Sequence, residues 1–153
     1  MARIEDIPEP TRTNVLALEC PTYEHRPWVA GPPLAERRVA IVTSAALHDR
    51  REAPFQPGSA EYRELSGSLT SGDILMSHVS INFDRTGFQR DLNVVYPIDR
   101  LRELAAQGVI GSVADTHFAV MGSTDPNVME ETADAIAARL KRDRVDAVLF
   151  SPV

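Results

Sequence analysis

Cysteine is almost absent from this 153-residue sequence, which contains only Cys20. A single cysteine excludes an internal disulfide bond, and a reducing cytoplasm is the simplest compartment for such a chain. No Cys-x-x-Cys or His-x-x-x-His pair occurs, so the sequence carries no recognisable zinc motif. We therefore expect a cytoplasmic protein that uses neither a disulfide framework nor a bound metal.

Excess positive charge and long apolar runs are also absent. The net charge of -6 argues against a nucleic-acid partner or an anionic membrane surface. No apolar run approaches the roughly 20 residues that a membrane-spanning helix needs. The sequence lacks Gly-x-Gly-x-x-Gly, Gly-Lys-Ser/Thr and Gly-x-Ser-x-Gly, which makes classical dinucleotide, P-loop and α/β-hydrolase sites unlikely. No cofactor is evident from the chain.

What is present is typical of one globular domain, with 43% hydrophobic and 25% charged residues. The prolines crowd the first 35 residues, at Pro8, Pro10, Pro21, Pro27, Pro32 and Pro33. Proline restricts the backbone and removes a hydrogen-bond donor, so this region is predicted to be irregular. We divide the chain into a proline-rich arm, residues 1–37, and an α/β domain, residues 38–153, that is incomplete at its C-terminus.

Three apolar runs in the second part predict parallel β-strands, at residues 38–43, 117–121 and 145–150. Residues 74–79 are a further strand candidate, and residues 44–72 are predicted to be irregular. Helices are expected after Pro97, ending near Gly108, and after the Asp125-Pro126 pair. This alternation predicts an α/β fold with a mostly parallel sheet flanked by helices, Rossmann-like or flavodoxin-like.

Polar side chains cluster in two segments that follow predicted strands. Ser44 and His48 follow the first strand, where an anionic group could be bound or a proton moved. Residues 77–93 combine His, Ser, Asn, Asp and Arg side chains, which suits a binding loop. A hydrogen-bonded turn in which the side chains cap backbone groups explains the same residues equally well. His117 is interpreted first as a core histidine.

Several stretches together resemble a known family. They are Val39-Ala-Ile-Val-Thr43 with His48, Ser77-His78, Asn82-Phe-Asp84-Arg85, Asp91-Leu-Asn-Val-Val-Tyr-Pro-Ile-Asp-Arg-Leu-Arg-Glu-Leu104, Gly108-Val-Ile-Gly111, His117 to Gly122, and Val145-Asp-Ala-Val-Leu-Phe-Ser-Pro-Val153. This combination is similar to the selenoprotein subunits of glycine/sarcosine/betaine reductase component B and of D-proline reductase. The resemblance runs from about Arg38 onward and is most specific in the stretch from Asp91.

The resemblance implies a reductase subunit that reductively cleaves a carbon–nitrogen bond in a small amino-acid-like substrate. The family uses a selenocysteine, or a cysteine in some members, and a thiol or dithiol electron donor would regenerate it. Other reductase subunits, or further copies of the chain, are the implied protein partners. The candidates for proton transfer are His48 and His78. The candidates for substrate binding are Ser44, Asn82, Asp84, Arg85, Asp91 and His117.

In the family, the selenocysteine follows a turn like Ser151-Pro152-Val153, so the nucleophile is expected directly after Val153. UGA encodes selenocysteine but is ordinarily read as a stop codon, so we expect the sequence to be the N-terminal portion of a longer selenoprotein. The alternative is a non-catalytic small-molecule-binding or assembly module of the same fold. A flavodoxin-like domain with unrelated chemistry is a weaker third interpretation, which bound flavin would support.

Overall fold

The computed structural model describes residues 3–17, 22, 24, 27–80 and 85–153. It contains one five-stranded sheet, one two-stranded sheet and four α-helices within those residues. In chain order, the strands are β1 (Arg38–Thr43), β2 (Leu47–Asp49), β3 (Tyr62–Ser66), β4 (Ile74–Met76), β5 (Ser112–Val113), β6 (Thr116–Val120) and β7 (Ala147–Ser151). The helices are α1 (Thr11–Leu16), α2 (Thr86–Arg90), α3 (Ile98–Ala106) and α4 (Glu130–Arg142).

Strand β1 is at the centre of the larger sheet and is paired on both sides. Strand β7 runs parallel to it along one side, from the Val39–Ala147 pair to the Thr43–Ser151 pair. On the other side β5 pairs with the start of β1 and β6 with its end, both in parallel. Strand β3 adds to the outside of β6 and is antiparallel. The mostly parallel α/β sheet predicted from the sequence is therefore confirmed.

The two faces of this sheet bury separate hydrophobic clusters. Alternate side chains of a strand point to opposite faces. Val39 and Ile41 thus pack with α3 residues such as Leu101, in the larger cluster. Val42 packs on the opposite face with Phe118 of β6 and Ile136 of α4. Burial of one apolar stripe on each helix explains why an α-helix forms in each of the two regions that the sequence predicted.

Local signals mark the end of α3 and the turn that precedes α4. Gly108 adopts a positive φ of 71° just beyond α3, a conformation that glycine adopts without strain. The Asp125 carboxylate accepts the N–H of Asn127 and caps the 3-10 turn Pro126–Val128. The predicted helix start at Asp125-Pro126 was therefore wrong, because α4 begins only at Glu130. Glutamates lie in the first turn of α4 and arginines in its last turn, so both complement the helix dipole.

The prediction that residues 44–72 are irregular was wrong, because β2 and β3 lie within this stretch. Strand β4 is also shorter than predicted and belongs to the two-stranded sheet, where it pairs antiparallel with β2. The failure to predict β3 has a clear physical cause. Leu65 is the only buried residue of β3, so too few apolar positions alternate there to reveal a strand.

Candidate functional site

The carboxyl ends of β1, β6 and β7 meet at one edge of the larger sheet, and Ser44 joins them. Its N–H donates to the Ser151 carbonyl over 3.1 Å, and its own carbonyl accepts the N–H of Gly122 over 2.9 Å. The Ser44 Oγ accepts the N–H of Val153 over 2.9 Å. Ligands of open α/β sheets bind beyond the carboxyl ends of strands, so this edge is the candidate site.

Gly122 is a residue of this edge whose role the sequence did not reveal. A Cβ atom at this position would lie 2.7 Å from the Ser44 carbonyl oxygen and 3.0 Å from the Ser44 Oγ. Real Cβ atoms almost never come that close to backbone, so glycine permits the approach of β6 to the end of β1. The only sequence signal is a glycine that directly follows a buried strand, and that pattern also describes an ordinary loop.

Thr43 connects the residue 91–97 segment to the same edge. Its buried Oγ1 donates to the Val95 carbonyl over 2.8 Å and accepts the N–H of Ala45 over 3.2 Å. At the start of this segment, the Asp91 carboxylate accepts two 2.9 Å hydrogen bonds from Asn93, one from its side-chain amide and one from its backbone N–H. These bonds lower the pKa of the exposed Asp91 carboxyl below its usual value. Asp91 is therefore an ionised turn cap, and its substrate role stays a prediction.

His48 is buried in β2, and its tautomer follows from its partner. The ring Nδ1 lies 2.9 Å from the backbone carbonyl of Asp49. A carbonyl only accepts hydrogen bonds, so Nδ1 carries the proton of the neutral ring. The lone pair is then on Nε2, which is the form of a histidine that can accept a proton there.

His78 is also buried, and its neutral ring has the opposite tautomer. Its Nδ1 accepts the N–H of Ser80 over 3.1 Å, which leaves the proton on Nε2. Burial lowers the pKa of His78 below its usual value, and the charge of Arg85 lowers it further. The Arg85 guanidinium donates to the carbonyls of both His78 and Ser80, so the structure brings the predicted site residues His78 and Arg85 together. Asn82 and Asp84 lie outside the described residues.

Backbone hydrogen bonds attach the two-stranded sheet, in which His48 lies and which His78 follows, to the edge of the larger sheet. The N–H of Ser77 donates to the carbonyl of Ala46 over 3.1 Å. Ala46 in turn donates its N–H to the carbonyl of Val120, the last residue of β6, over 2.9 Å. Ala46, two residues before His48, is thus linked directly to the end of β6, and Ser77, next to His78, is linked to it through Ala46.

His117 of β6 is in the core and is fully buried. Its Nδ1 accepts the N–H of Ile41 over 3.0 Å, between the short ladders that β1 forms with β5 and β6. Burial is the main cause that lowers the pKa of His117 to about 4. The ring meets the Tyr96 ring edge-on, with centroids 5.5 Å apart. This geometry matches the core-histidine interpretation, while substrate binding by His117 stays a prediction.

Two further features, a metal-binding cluster and a membrane-spanning helix, are absent from the described part of the chain. Among the described residues, no three His, Cys, Asp or Glu side chains are grouped closely enough to hold a metal ion. In the same part of the chain, no helix has the length and apolar character needed to cross a bilayer.

Comparison with known proteins gives a family match over most of the chain. The family described as glycine/sarcosine/betaine reductase selenoprotein B matches residues 33–152. The D-proline reductase subunit gamma of Acetoanaerobium sticklandii is 33% identical over 121 residues, covering 77% of this chain and 49% of that protein. No solved structure matches.

Two further relatives are components of related complexes. The glycine reductase complex component B subunit gamma of Carboxydothermus hydrogenoformans is 32% identical over 126 residues. The sarcosine reductase complex component B subunit beta of Peptoclostridium acidaminophilum is 27% identical over 125 residues. Each match covers 77% of this chain and 28% of the relative. The chain thus spans about half the length of the first relative and under a third of the other two.

Proposed function

Because the chain belongs to the glycine/sarcosine/betaine reductase selenoprotein B family, we propose that it is a subunit of a selenocysteine- or cysteine-dependent reductase. The proposed reaction is reductive cleavage of a carbon–nitrogen bond in a small amino-acid-like substrate. Two electrons and two protons from a dithiol convert the C–N bond into one C–H and one N–H bond, and the dithiol becomes a disulfide. The relatives' names support other reductase subunits as partners.

The hydrogen bond from the Val153 N–H to the Ser44 Oγ is the observation that carries this proposal. The proposed nucleophile follows Val153, and a selenol or activated thiol supplies the attacking anion there. Ser44 fixes the turn that precedes the nucleophile against the ends of β1 and β6. A reacting group that is held at one position loses less entropy on reaching the transition state.

The two buried histidines have complementary protonation in this scheme. His48 presents the Nε2 lone pair and accepts a proton, whereas His78 carries a proton on Nε2. The Arg85 guanidinium, next to the His78 backbone, suits a substrate carboxylate. The proposed substrate-binding set is completed by Ser44, Asn82, Asp84, Asp91 and His117. Ser44 also accepts the N–H of Val153 in the turn that precedes the proposed nucleophile.

The nucleotides after codon 153 provide the first test. We expect an in-frame UGA followed by a continuing open reading frame. The chain read through this codon, with cysteine in its place, would be combined with its partner subunits, and release of the amine product would be measured. D-proline, glycine and sarcosine are the first substrates, with dithiothreitol as the electron donor.

The expected result is a dithiol-dependent release of product that is lost when serine replaces the new cysteine. His48→Gln should lower kcat by about 10²–10⁴-fold, as expected for loss of a general base. A UAA or UAG codon with no continuing frame would overturn the proposal and favour the binding-module alternative. A read-through complex that releases no product from any of the three substrates would contradict the proposed substrate class.

A further inference from the structure

Strand β7 has one paired side and one open side. It pairs with β1 along its whole length, and no other pairing is formed by β7 within the part of the chain that the structure describes. Backbone N–H and C=O groups on an open strand edge are free to pair with another strand. The open side is therefore a place where the larger sheet can be extended.

The sequence of β7 is that of a central strand. Its first four residues, Ala-Val-Leu-Phe, form a continuous apolar run, and the strand has no charge, proline or bulge. Natural edge strands usually carry one of those features, because they discourage pairing with other chains. Apolar side chains are exposed on both faces of β7, with Leu149 39% exposed and Phe150 72% exposed. A strand with apolar residues on both faces is typical of the covered interior of a parallel sheet.

An apolar groove lies next to this strand on the α4 face of the sheet. Its volume is about 980 Å³. Val148 and Phe150 of β7 line it together with Ile136 and Leu140 of α4. Trp28, from the proline-rich arm, also lines it. The groove has the apolar lining and the position that a further helix, packed beside α4, would occupy.

The topology of the sheet predicts which face such a helix would cover. From β6 the chain crosses through α4 to β7 and moves from one side of β1 to the other. Crossovers between parallel strands are right-handed in nearly all proteins. A further step in the same direction, from β7 to a new strand, therefore places its crossover helix on the α4 face. The groove and the exposed Phe150 are on that face.

We propose that the open side of β7 and the groove beside α4 bind a helix and a parallel strand from the polypeptide that follows residue 153. The D-proline reductase subunit gamma supports this occupant, because the match to this chain covers only 49% of it. The relative has enough additional chain to supply both elements. This docking surface rests on the part of the proposed function that has the chain continue past residue 153, but it does not depend on the proposed reaction.

The experiment compares hydrogen exchange of the β7 amides in two proteins. One is the 153-residue chain, and the other is the chain read through codon 153 with cysteine in the next position. In the longer protein, the amides that face away from β1 should exchange at least about 100-fold more slowly. In the 153-residue chain, they should exchange rapidly, and size-exclusion chromatography with light scattering should give a monomer.

Phe150→Asp is the matched perturbation, and Val94→Asp is its control. Val94 is 60% exposed and lies outside the groove, in the 3-10 turn Leu92–Val94. A charge at residue 150 should remove most of the added protection in the longer protein, whereas a charge at residue 94 should leave it unchanged. Neither substitution should unfold the 153-residue chain, since both side chains are exposed.

Several results would overturn the proposal. A 153-residue dimer with slow β7 exchange would identify a second copy as the occupant, and a monomer with slow exchange would identify the arm. A reading frame that ends at codon 153 would remove the proposed occupant. A longer protein that reduces substrate without protecting β7 would reject the docking surface and leave the proposed function intact. A longer protein that protects the β7 amides but does not reduce substrate would support the docking surface and contradict the proposed function.

Discussion

Strands β1 and β7 are alike in sequence but differ in burial. Both are short apolar runs, and they pair with each other in parallel over five residue pairs. Every residue of β1 from Val39 to Thr43 is buried, whereas β7 has no buried residue. The difference follows from their neighbours, since β1 is paired on both sides and covered on both faces.

The comparison shows that composition indicates the environment a strand requires, while the surrounding elements decide whether the strand has it. For β1, the described part of the chain supplies that environment. For β7, the described part of the chain supplies a partner strand on one side only. Its faces are only partly covered, since Leu149 and Phe150 stay exposed. The exposed apolar residues of β7 are the observation on which the proposed docking surface rests.

The largest expected effect comes from truncating one apolar residue in each strand. Ile41 of β1 is fully buried in the larger cluster, so Ile41→Ala should lower the free energy of unfolding by about 2–5 kcal/mol. Leu149 of β7 is partly exposed, so Leu149→Ala should cost less than about 1 kcal/mol in the 153-residue chain. Urea denaturation measures both values. Equal losses would show that β7 is already buried in solution.

The next effect concerns pH and the histidine that supports β1. Burial lowers the pKa of His117 to about 4 in the folded chain, against 6.5 for an ordinary histidine. Between pH 4 and pH 6.5, the imidazole of His117 is protonated in the unfolded state but neutral in the folded state. Stability from this group is therefore complete above pH 6.5 and is lost as the pH falls toward 4, by up to about 3 kcal/mol.

His117→Asn is the variant that isolates this effect. The asparagine carbonyl can still accept the N–H of Ile41, but the side chain does not titrate. The variant should be less stable at neutral pH, with a smaller loss of stability between pH 6.5 and pH 4. Urea denaturation across this range measures both slopes. The same slope in the two proteins would mean that other groups, such as His78, carry the pH dependence.

The sequence predicted the elements whose stabilising contacts follow a regular pattern. Strands β1, β6 and β7 and helices α3 and α4 each show an apolar run or stripe, and the caps at Gly108 and Asp125 are short-range signals. Strands β2 and β3 have no comparable pattern. They form because the chain returns to pair with β4 and β6, and such long-range pairing is not visible in a local window.

The candidate site was predictable by residue type but not by contact. Ser44 was selected because it follows the first strand, and the structure adds that its Oγ accepts the N–H of Val153, far along the chain. The need for glycine at residue 122 depends on the same long-range approach. Asp91 could equally have been a ligand residue or a turn cap, and only the geometry identifies its cap.

A smaller effect tests the close approach between the ends of β1 and β6. Gly122→Ala would place a methyl group against the Ser44 carbonyl, so it should lower the free energy of unfolding by about 1–3 kcal/mol. Gly72→Ala is the control, because a Cβ there would meet its nearest atom at an ordinary 3.7 Å. The control should change stability by less than about 1 kcal/mol. If both variants retained wild-type stability, Gly122 and Ser44 would lie farther apart in solution than they do in the structure.

The smallest expected effect tests the contact that joins the ends of β1 and β7. Ser44→Ala removes the acceptor of the Val153 N–H and should cost about 0.5–1.5 kcal/mol. A loss of 1 kcal/mol corresponds to an approximately fivefold faster exchange of the Val153 amide, which NMR can follow. Ser44→Thr keeps the hydroxyl and should restore slow exchange. Unchanged exchange in Ser44→Ala would mean that backbone pairing alone fixes the end of β7, and Ser44 would then lose its proposed role in holding the turn that precedes the nucleophile.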